Sequence, residues 1–180
     1  MKRSLIAAIV LAGASFGTAV QAQTIGESPQ ALDLVDDTAA FFGDTLGEGN
    51  SGATFADQFT FTIDETIGIN LDAIVSSVSR SADTGLDITG LSLYDADDTL
   101  ITQGTSVQSG AVDVWTIAGD NLASGDYYLR VNGSMVSNDA ASFGGAIMLM
   151  PVPEPETYGM MLGGLGMLGY LARRRKAKRG

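Results

Sequence analysis

Phe55-Ala56-Asp57-Gln58-Phe59-Thr60-Phe61-Thr62-Ile63 places Phe55, Asp57, Phe59, Phe61 and Ile63 at odd positions and Ala56, Gln58, Thr60 and Thr62 at even ones. Successive side chains of a β-strand point to opposite faces, so this stretch puts three aromatic rings and an isoleucine on one face and polar groups on the other. It reads as a half-buried strand. Asp57 interrupts the apolar face, and a carboxylate there is costly unless it is hydrogen-bonded, paired or metal-bound, or unless a bulge turns it to solvent.

Shorter alternations follow on both sides, separated by turn residues. Ile67, Ile69 and Leu71 alternate, as do Leu91 and Leu93, with a turn expected at Asp95-Ala96-Asp97-Asp98 before Leu100 and Ile101. Residues 112–117 form an apolar run around Trp115 that Ala118-Gly119-Asp120-Asn121 is expected to end. In Tyr127-Tyr128-Leu129-Arg130-Val131 one face holds Tyr127, Leu129 and Val131, and the other Tyr128 and Arg130. Residues 146–150 make a last strand, residues 86–88 add another, and residues 30–42 read as a strand with a loop or an irregular edge. No long stretch has helical apolar spacing. The expectation is a single all-β domain of about seven to nine strands, a β-sandwich of jelly-roll or Ig-like type.

Both ends of the 180-residue chain stand apart from that pattern. Met1-Lys2-Arg3 is a charged n-region, residues 5–16 are an apolar h-region, and Val20-Gln21-Ala22 is a small-residue cleavage site, so residues 1–22 read as a signal peptide cut between Ala22 and Gln23. The Sec translocon and signal peptidase are the partners this implies. At the other end, Val152-Pro153-Glu154-Pro155-Glu156 precedes an apolar stretch over 157–172 and the basic tail Arg173-Arg174-Arg175-Lys176-Ala177-Lys178-Arg179. Sixteen residues at ~1.5 Å each give about 24 Å of helix against a hydrocarbon core of ~30 Å, a marginal anchor. Gly159 and Gly163 form a small-xxx-small step that lets a second helix approach. The cations stay cytoplasmic by the positive-inside rule, leaving residues 23–151 outside the inner membrane.

The body is acidic: of the 21 Asp and Glu residues, 19 lie between Glu27 and Asp139, against Arg80 and Arg130. Such a surface repels phosphate backbones and argues against nucleic acid as a partner. It suits a soluble exported protein or a collector of divalent cations. The chain has no Cys, so packing rather than disulfides must hold the exported body. With no His and no Cys, and no Lys in the body, the commonest base, the strongest nucleophile and Ser-Lys or Schiff-base chemistry are all missing. No local motif selects a carboxylate pair of glycosidase type. The expectation is a non-enzyme.

The order Pro-Glu-Pro, apolar helix, basic tail resembles the carboxy-terminal sorting signal of PEP-CTERM proteins. The resemblance implies export by a Gram-negative, exopolysaccharide-making bacterium, transient holding in the inner membrane, and processing by an exosortase, with Pro153, Glu154 and Pro155 as the recognised element of a substrate. A permanent tail anchor would need only the apolar run and the cations, and leaves Pro-Glu-Pro unexplained. Phe55-x-Asp57-x-Phe59 is similar to the name-giving element of the FxDxF family of PEP-CTERM proteins, and Leu91-Ser92-Leu93-Tyr94-Asp95, residues 122–133 and Phe143-Gly144-Gly145 follow in that family's order. That family is defined by sequence and export signal, and its body has no assigned activity. Residues 125–131 also resemble a strand of the small β-sandwich modules appended to secreted peptidases.

The expected role is therefore a surface or extracellular-matrix protein associated with exopolysaccharide or biofilm, with a carbohydrate- or calcium-binding module as the alternative. No cofactor is required. Calcium is the candidate ion: Asp95, Asp97 and Asp98 could offer several oxygens in a tight turn, although the loop lacks EF-hand spacing and also reads as a solvated hairpin turn. Trp115, Tyr127 and Tyr128 could stack on sugars, Tyr128 being the expected exposed ring. Asn132-Gly133-Ser134 is read as a turn.

Overall fold

A computed structural model describes residues 24–26, 29–152 and 155–177. Eleven strands run in chain order: β1 (Thr24–Ile25), β2 (Gln30–Ala31), β3 (Ala39–Leu46), β4 (Thr54–Ile63), β5 (Ile69–Val78), β6 (Leu86–Asp95), β7 (Leu100–Gln103), β8 (Thr105–Gln108), β9 (Val112–Leu122), β10 (Gly125–Met135) and β11 (Ala141–Pro151). A helix, α1 (Pro155–Ala177), follows. One sheet has the order β1-β4-β10-β6-β7 with β2 also on β4, and the other the order β3-β11-β5-β9-β8. The two make a β-sandwich. β7 and β8 are halves of one excursion that leaves the first sheet for the second at Gly104. Counted so, β4-β10-β6-β7 faces β3-β11-β5-β9, the jelly-roll order, and not an Ig one.

The alternation in β4 sets the core. Phe55, Phe59, Phe61 and Ile63 are buried. Phe59 crosses the gap between sheets to Phe42 of β3, with ring centroids 4.9 Å apart, and to Phe143 of β11 at 6.1 Å, edge to face. Phe55 stacks on Phe143 at 5.3 Å. Full burial of such rings contributes roughly 1.5–3 kcal/mol each, and aromatic pairing about 0.5–1.5 kcal/mol more. Leu91 and Leu93 of β6, Leu129 and Val131 of β10, and Leu71 and Val75 of β5 close the same cluster.

Several expectations need correction. Asn132-Gly133-Ser134 is not a turn but the interior of β10, with a register shift between Asn132 and Gly133. A side chain at Gly133 would run into the Phe55 ring and the Asp87 carbonyl, so the glycine serves close packing rather than a bend. Residues 118–121 do not end a strand either: β9 continues to Leu122 and absorbs the irregularity as a register shift opposite Ile69 and Leu71. β8 was not expected because all four of its residues are exposed, which leaves no apolar face to read.

The tail is helical, but over Pro155–Ala177 rather than 157–172, so the expected basic tail is partly in the helix. Pro155 fits the first helical position and Glu156 the positive end of the helix dipole. No helix among the described residues is long and apolar enough to cross a membrane. The expected transmembrane helix therefore falls short in composition: five glycines and two tyrosines dilute the apolar stretch, and the charges at 173–176 end it.

Candidate functional site

The sorting segment begins where the sandwich ends. β11 closes at Pro151, the Val152 amide donates to the Gly68 carbonyl at 2.9 Å, and α1 begins at Pro155. Tyr158, Met160, Met161, Leu162, Leu165, Met167, Leu168 and Tyr170 are all exposed. A helix apolar around its circumference with no protein against it is suited to a lipid or protein environment outside the fold. Pro153 and Glu154, like Ala22 and Gln23 at the signal-peptide junction, lie outside the described residues. Val152, half-buried, is the last described residue before α1.

Phe55, Asp57 and Phe59 all point inward. Asp57 is 1 % exposed, and its Oδ2 has no hydrogen-bond partner. Asp44 on β3 pairs with Phe143, which is buried, so its side chain also faces the interior, and it hydrogen-bonds Asp57 across the open edge of the sandwich. Burial first, and then the charge and hydrogen bond of Asp44, push the Asp57 carboxyl up from 3.8 to about 7. On the outer edge of β4 the amino-terminal chain runs parallel, with Ile25 opposite Phe55 and Gln30 opposite Phe59. Five residue steps on that chain (25 to 30) thus span four on β4 (55 to 59), and the pairing slips by one across Asp57. Gly26, at φ 109°, lies against the carboxyl group: a β-carbon there would be 2.9 Å from Cγ and 3.0 Å from Oδ2.

The other buried acid shows what Asp57 lacks. Asp113, 2 % exposed, accepts from the Ser77 hydroxyl, the Ile88 amide and the Gly110 amide, each at 3.1 Å. Asp113 also joins the sheets, since Ser77 and Ile88 sit on β5 and β6. Asp87, beside it, has its carboxyl raised by burial and by the Asp113 charge.

On the outer face of the first sheet, Tyr94 and Tyr128 stack at 5.0 Å, and the Arg130 guanidinium lies 4.5 Å above the Tyr94 ring. The Tyr128 hydroxyl donates to Asp98 Oδ1 at 2.6 Å and accepts from Arg130 Nη2 at 3.0 Å. Burial, then the bond to Asp98, raises its pKa to about 12 against the opposing pull of Arg130. The expectation of an exposed Tyr128 is thus overturned: it faces outward but is buried beneath its neighbours, 6 % exposed. Trp115, partly buried, donates its indole N–H to the Ile88 carbonyl at 2.9 Å, and Tyr127 stacks on Phe61 in the core.

In the acidic turn, Asp95 Oδ1 accepts the Asp97 and Thr99 amides at 3.0 and 2.8 Å, closing the β6–β7 connection, while Asp98 holds Tyr128. Among the described residues no group of three or more His, Cys, Asp or Glu could hold a metal ion. Beside this turn an open groove of about 660 Å³ crosses the first sheet, lined by Gln58, Thr60, Thr62, Asp98, Asp126 and Tyr128 among others. The outer face of the second sheet carries a more apolar groove of about 540 Å³ around Ile74, Ala146 and Met148, with Phe41 nearby 88 % exposed. Sequence reasoning missed Asp44, Gly26, Asp113 and the Arg130–Tyr94 contact. Pairing between strands distant in sequence brings each of them together.

Residues 151–176 match the PEP-CTERM protein-sorting motif. This motif implies an exported protein, anchored at its carboxy terminus in the membrane of a Gram-negative bacterium and processed by an exosortase. The match covers the tail and not the sandwich. No curated protein matches the chain at a significant level.

Proposed function

We propose that the chain is a non-enzymatic structural protein of the cell surface or extracellular matrix, brought out as a Sec substrate, held transiently by α1, cut near Pro153-Glu154-Pro155 by an exosortase, and left in association with exopolysaccharide. One observation carries the reading: the sorting motif at 151–176 begins where the last strand ends and runs over α1, which adds no strand to the sandwich. Removing everything after Val152 deletes no strand, and the apolar side chains described on α1 are exposed rather than packed on the core, so the fold is expected to survive loss of the tail. The FxDxF likeness belongs to the same reading, with Phe55, Asp57 and Phe59 as fold-forming residues.

Glu154→Ala tests the processing step. The substitution is expected to leave the tail on the exported chain and keep it in the inner-membrane fraction. A mature mass identical to that of the unaltered protein would count against recognition of Pro-Glu-Pro.

A second reading, a polysaccharide-binding module, is favoured by the groove on the first sheet, where Gln58, Thr60 and Thr62 present a polar floor. Its ligand would be neutral or cationic, because the lining carboxylates Asp33, Asp37, Asp64, Asp98 and Asp126 oppose an acidic polymer. Retention of the protein on neutral glycans, lost with Gln58→Ala, would support it. Equal passage of both proteins through glycan columns would remove it.

A further inference from the structure

We propose that Asp57 and Asp44 are the carboxylate half of a site for one hard divalent cation of the calcium class, placed where the amino-terminal strand meets the open edge of the sandwich. The inference goes beyond the sorting reading and does not depend on it.

Three features of the geometry lead there. Asp57 is 1 % exposed with Oδ2 unpartnered, an arrangement that native interiors rarely leave without an ion, a proton or a donor. A second carboxyl group, Asp44, faces it from the opposite sheet and hydrogen-bonds it, so two acids meet at one point between the sheets. Gly26, at φ 109°, packs directly against that carboxyl, where a β-carbon would collide with it, so the amino-terminal chain closes over the pair. Asp113 is equally buried but takes three protein donors and leaves nothing for an ion.

The chemistry of the donor set selects the cation. All available ligands are oxygens, and the chain has neither His nor Cys, so soft and borderline metals have no ligands of their own. Calcium accepts six to eight oxygens in irregular geometry, and backbone carbonyls and water complete a shell begun by two carboxylates. Magnesium demands a near-ideal octahedron and gives up water reluctantly, which fits a crevice at a strand edge less well. With two carboxylates the affinity belongs to the extracellular class, Kd ~10⁻⁴–10⁻³ M. A cation there would tie β1 and β2 to β4 and close the seam between the sheets.

The test uses the full chain, stripped with EGTA and titrated near neutral pH with CaCl₂ and, separately, MgCl₂, while melting temperature and bound metal are followed. The expected result is one calcium per chain, a rise in melting temperature, and a weaker response to magnesium. Asp57→Asn abolishes the calcium response, and Asp95→Asn, in the acidic turn, leaves it intact. If Asp57→Asn fails to fold, Asp44→Asn serves in its place. Absence of a calcium-dependent shift in the unaltered chain up to several times that Kd range, or a shift surviving in the Asp57 or Asp44 variant, overturns the proposal.

Discussion

Calcium-free protein should become less stable as pH rises from about 5 to 8, and Asp57→Asn should remove most of that slope. The Asp57 carboxyl is raised from 3.8 to about 7, chiefly by burial. The folded state therefore holds a proton there through a range in which the unfolded chain has released it. The contribution is fully present below the unfolded value of 3.8, declines through the window up to about 7, and is gone above it. At ~1.36 kcal/mol per pH unit the whole window is worth up to about 4 kcal/mol, a large share of the 5–15 kcal/mol typical of a folded domain. Urea unfolding in EGTA at several pH values measures it directly, and the difference between the unaltered chain and Asp57→Asn isolates Asp57 from Asp87, whose raised carboxyl acts in the same direction. The Asn amide needs partners of its own, so the decisive quantity is the change in slope rather than stability at one pH. Equal slopes in the two proteins, or a stability that climbs with pH through this window, would refute the account of a buried acid shared with Asp44.

Other expectations follow from single contacts. Gly133→Ala forces a methyl group into Phe55 and the Asp87 carbonyl and should cost about 1–3 kcal/mol in urea unfolding. Asp113→Ala removes the acceptor of three donors, two of them backbone amides, and should cost about 2–5 kcal/mol by the same measurement, since the amides are left without partners. Titration of phenolate absorbance should show a late step near pH 12, above the ordinary value of ~10, and Tyr128→Phe should remove it.

The inward face of β4 was legible because alternation is local: Phe55, Phe59, Phe61 and Ile63 announce a core strand whatever lies opposite. Phe41 and Phe42, adjacent in sequence, could not be sorted the same way, and only the pairing of β3 with β11 puts Phe42 in the core and Phe41 outside. β8 was invisible because Thr105–Gln108 carries no buried side chain. The position of Tyr128 was read correctly as outward, and its burial was missed because the cover comes from Tyr94 on β6 and from Arg130. Asp57 drew notice from the sequence as an acid on an apolar face. What stands opposite it, Asp44 and Gly26, follows from sheet-to-sheet packing and a one-residue slip in the amino-terminal pairing, neither of which has a local signature. The sorting segment was the most legible part, since its three pieces act in sequence order and need no tertiary partner within the chain.

The measurement closest to the central claim is the mass of the mature protein in each cell fraction, from the native host and from a strain lacking its exosortase. The account predicts a chain outside the inner membrane that has lost residues 157–180 in the host, and a chain retaining the full tail in the inner membrane of the mutant strain. An uncut tail in the inner membrane of both strains would contradict it and make this a permanently anchored periplasmic protein.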